Sequence, residues 1–296
     1  MFHDFEAHRG SKQRGHRAFG CTRQRRSFWQ SWSEQKVTGW GLCDMRTMTT
    51  LLALMVLLQG TQAASATELR IAVAANFAAT LERLAGVYGP ETDLRFAISS
   101  GSSGKHFAQI RQGAPFDLFF SADDRRTADL VASGHALADS RFVYAEGVLV
   151  LWSPDTNRIP EDGKAFLNSE DFRRIAIANP RVAPYGAAAE AVMGALGVEF
   201  AARRIVTGQS IGQAFNFVTT GNADAGFVAL SQVITHERQH GEGSRWLPDA
   251  QSYPPILQEA VLLAAAREPD AARAFLDWVR TNPTASAIIQ SDGYRP

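Results

Sequence analysis

Apolar positions in this chain follow two rhythms that alternate from about residue 69 onward. Short, nearly unbroken apolar runs at 69–74, 94–98, 116–120 and 148–152 have the length and content of buried strands. Between them apolar residues recur at helical spacing: Phe77, Leu81, Leu84 and Val87, then Phe107 and Ile110 before a stop at Gly113, then 128–133 before Gly134. After Ser153-Pro154 the pattern restarts. A strand at 174–178 is followed by Pro184-Tyr185-Gly186 and an Ala-rich helix to Leu196. Ile205-Val206 and residues 208–211 lead into another helix, and 225–230 is a further strand. Residues 256–257 and 260–265 read as a strand behind Pro254-Pro255, and 271–279 and 284–290 as helices. Strand–helix alternation implies parallel strands joined by crossover helices. The pattern therefore predicts an α/β protein of two lobes, each a mostly parallel sheet flanked by helices. Hinges are expected near 146–150 and 245–255, with 67–148 and 246–296 forming lobe I and 149–245 lobe II.

Residues 1–66 belong to neither rhythm. The apolar run 51–58 follows Arg46 and precedes Ala64-Ser65-Ala66. A basic flank, a short apolar core and an Ala-x-Ala site describe a secretory signal peptide, and the run is far short of the roughly 20 apolar residues that span a bilayer. We read 45–66 as a signal peptide cleaved near Ala66, and the protein as exported to the periplasm. Residues 1–44 are polar and basic, with Arg23, Arg25 and Arg26 clustered among Trp29, Trp32 and Trp40. They fit either a nucleic-acid arm or an upstream extension of a chain whose translation begins at Met45 or Met48. A signal peptide works at an N-terminus, which favours the extension.

Removing the leader changes the charge. The whole chain carries 30 basic and 30 acidic residues; 9 basic and 4 acidic lie in 1–66, leaving 21 and 26 and a net charge of −5. A mildly acidic mature chain argues against a nucleic-acid partner. Both cysteines, Cys21 and Cys43, lie in the leader, so the mature 230 residues contain no disulfide or thiolate chemistry.

Ligands of α/β sheets bind beyond the carboxyl ends of the strands, where helices begin. Four stretches stand there: Ala75-Asn76, Ser102-Ser103, Pro184-Tyr185-Gly186 and Ser210-Ile211. All carry small or neutral polar residues and none a Lys or Arg. Taken singly, each has a plainer reading: Ser102-Ser103 as a loop and helix cap, Asn76 as an N-cap, Tyr185 as a packing residue. Together they suit a tetrahedral dianion. Its oxygens only accept hydrogen bonds, and helix N-termini supply unpaired N–H groups with a partial positive charge. Serine hydroxyls and the Asn76 amide add donors.

These stretches also carry a resemblance. Residues 71–77 (I-A-V-A-A-N-F), 99–105 (S-S-G-S-S-G-K), 113–123 (G-A-P-F-D-L-F-F-S-A-D), 179–186 (N-P-R-V-A-P-Y-G) and 221–232 (G-N-A-D-A-G-F-V-A-L-S-Q) closely resemble the periplasmic molybdate-binding proteins of ABC transporters. The resemblance spans about 68–294. It implies a two-lobed, hinged fold that holds molybdate or tungstate in the cleft, with no cofactor and no catalysis, and delivers it as a monomer to a permease in the inner membrane. By position, the oxyanion would be held by Asn76 with Ala75, by Ser103, and by the backbone at Tyr185 and Ile211, with Ser102 as second choice. Where some members place a Tyr hydroxyl near Ala229, this sequence has Ala. Another oxyanion such as sulfate is the nearest alternative.

One signal points to a different class. His236-Glu237-Arg238-Gln239-His240 matches the H-E-x-x-H zinc signature, which needs both His one helical turn apart, a third ligand and the Glu as base. Gly241 and Gly243 should end the helix there, and Glu259, a formal third ligand, lies in an expected strand. Residues 101–105 lack the upstream Gly and following Ser/Thr of a phosphate-binding loop.

Overall fold

The computed structural model describes residues 67–169, 171–198 and 204–296; the leader, its signal peptide and its extension lie outside the described residues. The first sheet contains β1 (Glu68–Ala74), β2 (Arg95–Gly101), β3 (Leu118–Ser121), β4 (Phe142–Gly147) and β10 (Ile256–Leu262), in the order β2-β1-β3-β10-β4. The second contains β5 (Leu149–Ser153), β6 (Ile175–Ala178), β7 (Ile205–Gly208), β8 (Ala225–Ala229) and β9 (Ser244–Trp246), in the order β7-β6-β8-β5-β9. β1 runs parallel to β2 and β3, and β6 parallel to β7 and β8. β10 and β5 run antiparallel to both their neighbours. Each reversed strand is the first that the chain forms after crossing between the sheets. The first crossing is the single residue Val148; the second lies between Trp246 and Ile256.

The unbroken apolar runs follow from burial on both faces of the sheet. In β1, Leu69, Ile71 and Val73 pack with Leu81 and Leu84 of α1 (Ala78–Thr92) and with Phe275 and Leu276 of α8 (Pro269–Thr281). The intervening Ala72 faces the other way, with Ile110 of α2 (Ser103–Arg111) and Leu130 of α3 (Arg125–Ala132). In the second sheet Leu149, Val150, Leu151 and Trp152 are all fully buried. Around it lie α4 (Gly163–Asn168), α5 (Pro184–Leu196), α6 (Ile211–Thr219) and α7 (Leu230–His240), and α9 (Pro283–Ser291) closes the chain on α1. The second core takes in Ala74 and Ala122 from the ends of β1 and β3, so apolar packing continues across the cleft.

Three details depart from the sequence reading. β2 runs on through Ser99, Ser100 and Gly101, which pair with Ala72, Val73 and Ala74, so the polar stretch expected as a loop is half strand. β4, α4 and β9 were not anticipated. Asn76 is not the N-cap of α1; Phe77 takes that position without a side-chain cap bond, because the Asn76 amide is drawn elsewhere. Among the described residues no helix is long and apolar enough to cross a membrane.

Candidate functional site

The carboxyl ends of β1 and β2 face those of β6 and β7 across the cleft, and a helix starts near each. Ala75, Asn76, Ser102, Ser103, Tyr185 and Ile211 all line one cavity, with Ala74, Gly101, Ala122, Ala183 and Pro184. No Lys, Arg, Asp or Glu is among them. The cavity volume is about 10 Å³, close to the roughly 10–15 Å³ that one water-sized sphere needs. It suits a small ion.

The donor count decides which chemistry the cavity can serve. The first N–H groups of a helix have no partner within it. In α2, Gly104 N–H donates to Val182 O (2.9 Å) and Lys105 N–H to the Ser102 hydroxyl (3.3 Å). In α5, Gly186 N–H donates to Ala183 O (2.9 Å), and in α6, Gln213 N–H to the Ser210 hydroxyl (3.2 Å). The N–H groups of Ser103, Tyr185 and Ile211 are left without an acceptor among the described residues. The Ser103 hydroxyl accepts from Ala122 N–H (2.9 Å), which leaves its own proton to give. Ser102, by contrast, caps α2 with its oxygen. The cavity thus gathers donors with few competing acceptors, from three helix N-termini whose dipoles favour negative charge.

Behind the cavity lies a buried polar network that the sequence reading missed. Asn76 Nδ2 donates to Gln258 Oε1 (2.7 Å) and to the Tyr294 hydroxyl (3.1 Å), while its Oδ1 has no partner. Gln258 Nε2 donates to the Tyr185 hydroxyl (3.2 Å), and Tyr144 donates to Gln258 Oε1 (3.0 Å). Tyr294 and Ser231 both donate to the Asn76 carbonyl, at 2.7 and 3.0 Å. Burial raises the Tyr185 and Tyr144 phenols well above the usual tyrosine range, reinforced by neighbouring tyrosines, so both remain protonated. The one available signal was the polar pair Gln258-Glu259 inside an apolar run. Both are buried.

Comparison with known proteins meets this geometry from another side. A family model described as bacterial extracellular solute-binding protein matches residues 69–295. The chain belongs to that family. Among its relatives, the molybdate-binding protein ModA of Azotobacter vinelandii is 42% identical over 233 residues, covering 78% of this chain and 91% of that one. ModA of Rhodobacter capsulatus is 45% identical over 232 residues, covering 78% and 89%. The structure of the Azotobacter vinelandii periplasmic molybdate-binding protein superposes with a TM-score of 0.73 at 44% identity, over 77% of this chain and 99% of that one. The two-lobed architecture is thus that of periplasmic solute-binding proteins.

In this solute-binding protein the H-E-x-x-H segment ends a helix, as α7 stops at His240. Glu237 is committed to structure: it accepts from Trp152 Nε1 (3.3 Å), Gly243 N–H (3.2 Å) and Arg245 (3.0 Å). His236 packs edge-on against Trp152 and Phe215. Glu259 lies in the other sheet, bonded to Thr127 and Arg141. Among the described residues no three His, Cys, Asp or Glu side chains are grouped to hold a metal ion. The zinc reading is therefore not the favoured one.

Proposed function

We propose that this protein captures molybdate, or its near-isostere tungstate, in the interlobe cavity and delivers it to an ABC permease for import. The observation that carries the proposal is the convergence of uncharged donors from both lobes on one small cavity without a charged lining residue. In this reading Asn76 and Ser103 give side-chain donors, the backbone N–H groups at Ser103, Tyr185 and Ile211 give the rest, and Ala75 and Ser102 complete the wall. Neutral donors allow release, since no buried ion pair has to be broken. Identities of 42% and 45% to molybdate-binding proteins support molybdate over sulfate as the ligand. The role is binding and release, not catalysis, in the periplasm, as a monomer docking on its permease.

Calorimetry with molybdate, tungstate and sulfate on the purified protein tests this. Molybdate at 100 times its dissociation constant should add about 2.7 kcal/mol of stability in a thermal shift, and a chelator should change nothing. Destabilisation by the chelator without any response to molybdate would return the zinc hydrolase reading.

A further inference from the structure

The Asn76 amide stands the wrong way round for an anion. Both Nδ2 protons are taken by Gln258 and Tyr294, and the end left over is Oδ1, a buried acceptor with no partner. A dianion needs a donor at that end. The two ends of a carboxamide have nearly the same shape, so the amide can be reversed in place, but only if its neighbours accept the reversal.

Gln258 decides whether they do. It is fully buried on β10, beside a register shift in the pairing with β4, whose extra residue Tyr144 falls between the partners of Gln258 and Glu259; such shifts re-aim side chains. Gly147, beside it, leaves the room: a Cβ there would collide with the Tyr185 hydroxyl and with Gln258 Nε2. If Asn76 and Gln258 reverse together, each contact of the two amides is kept with its direction changed, and only the Tyr294 bond to the Asn76 carbonyl is given up. Gln258 Nε2 then donates to Asn76 Oδ1 across the present 2.7 Å and to the Tyr144 hydroxyl across 3.0 Å. Tyr144 turns its proton to Ser121 O at 3.3 Å. Tyr185, which now only accepts from Gln258, donates to Gln258 Oε1 across 3.2 Å. Tyr294 can donate to Asn76 Oδ1 while Ser231 keeps the Asn76 carbonyl. The orphan acceptor is replaced by a donor on a residue that lines the cavity.

We infer that Gln258 is a positioning residue for anion recognition: by reversing with Asn76 it sets the polarity of the Asn76 amide and links it to Tyr185 of the other lobe. This rests on the proposed oxyanion function, since it assigns the residue that readies one of that site's donors. Gln258 itself does not line the cavity.

A double-substitution cycle on molybdate affinity tests it. Gln258→Met keeps the bulk of the side chain but neither donates nor accepts in this way, and Asn76→Ser replaces the amide with a hydroxyl rotor that has no polarity to be set. Gln258→Met should weaken molybdate binding about tenfold or more when Asn76 is present, and less than about twofold in the Asn76→Ser background, while lowering the melting temperature of the unliganded protein equally in both. Equal affinity losses in both backgrounds would reduce Gln258 to a packing residue and overturn the inference. Should Gln258→Met fail to fold, the equally uncharged Gln258→Leu takes its place in the cycle, with the same two expectations. Independently of any variant's affinity, the side-chain amide NMR signals of both Asn76 and Gln258 should shift on molybdate binding; a Gln258 signal that stays still while Asn76 moves refutes the relay. If the unsubstituted protein binds no molybdate, the functional reading itself falls, and this inference with it.

Discussion

A dianion held without a cation depends on a few neutral donors, so the loss of one side chain is felt. A hydrogen bond to a charged group contributes about 1.5–3 kcal/mol. Asn76→Ala and Ser103→Ala should therefore each weaken molybdate binding about ten- to a hundredfold in calorimetry. Ser102→Ala should act differently, because the Ser102 oxygen caps α2. Losing such a cap costs about 1 kcal/mol of stability, visible as a lower melting temperature, with the smaller change in affinity. A larger affinity loss at Ser102 than at Ser103 would exchange their roles. Asn76 and Ser103 were legible as residues of the cavity wall because neutral polar residues stood at strand-to-helix junctions, where ligands of α/β sheets bind. Gln258 was not, since its importance comes from a register shift and from tyrosines far off in sequence, such as Tyr144 and Tyr185.

At the scale of elements, the same logic separates what was legible from what was not. β1 and β5 announced themselves because both their faces are buried. β4 alternates buried and partly exposed positions irregularly, and β9 is three residues long, so neither gives a period to read. α2 combines a readable Ser102 cap with an unreadable tie: His106 is buried beneath the helix, where its Nδ1 faces Gln109 Oε1 at 3.2 Å. Burial holds the His106 pKa below its ordinary value, with the Gln109 contact opposing part of the effect. The sign for stability follows. Below about pH 6.5 the unfolded chain takes up a proton that the folded His106 resists, so stability falls as the pH drops from about 6.5 toward the lowered folded value. The melting temperature of the unliganded protein should therefore fall between pH 7 and pH 5, and His106→Gln should make that slope shallower. Parallel slopes for the two proteins would show that His106 does not titrate differently on folding.

Over the whole molecule, the two crossings between sheets are where we propose that the lobes hinge, and the lobes touch at specific points in this structure. Gly104 N–H, on the first lobe, donates to Val182 O on the second (2.9 Å), and Arg126 Nη2 to Arg181 O (3.3 Å). A Cβ at Gly104 would stand 2.9 Å from Val182 Cα and 3.0 Å from its carbonyl oxygen. These are backbone atoms, so no side-chain rotation relieves the collision; the lobes must part. Gly104 has helical backbone that Ala also adopts, and once the lobes part, Ala stabilises by about 0.4–1 kcal/mol by narrowing the unfolded ensemble. Gly104→Ala should thus pull two measurements in opposite directions. The melting temperature of the unliganded protein should hold or rise, while molybdate affinity falls by the factor by which the closed state is depopulated. Small-angle scattering reads the cause directly: the parent should contract on adding molybdate, and the variant should contract less or need more ligand. If the variant contracts fully and binds as well as the parent, the approach of Gly104 to Val182 is incidental, and closure is driven through the cavity alone.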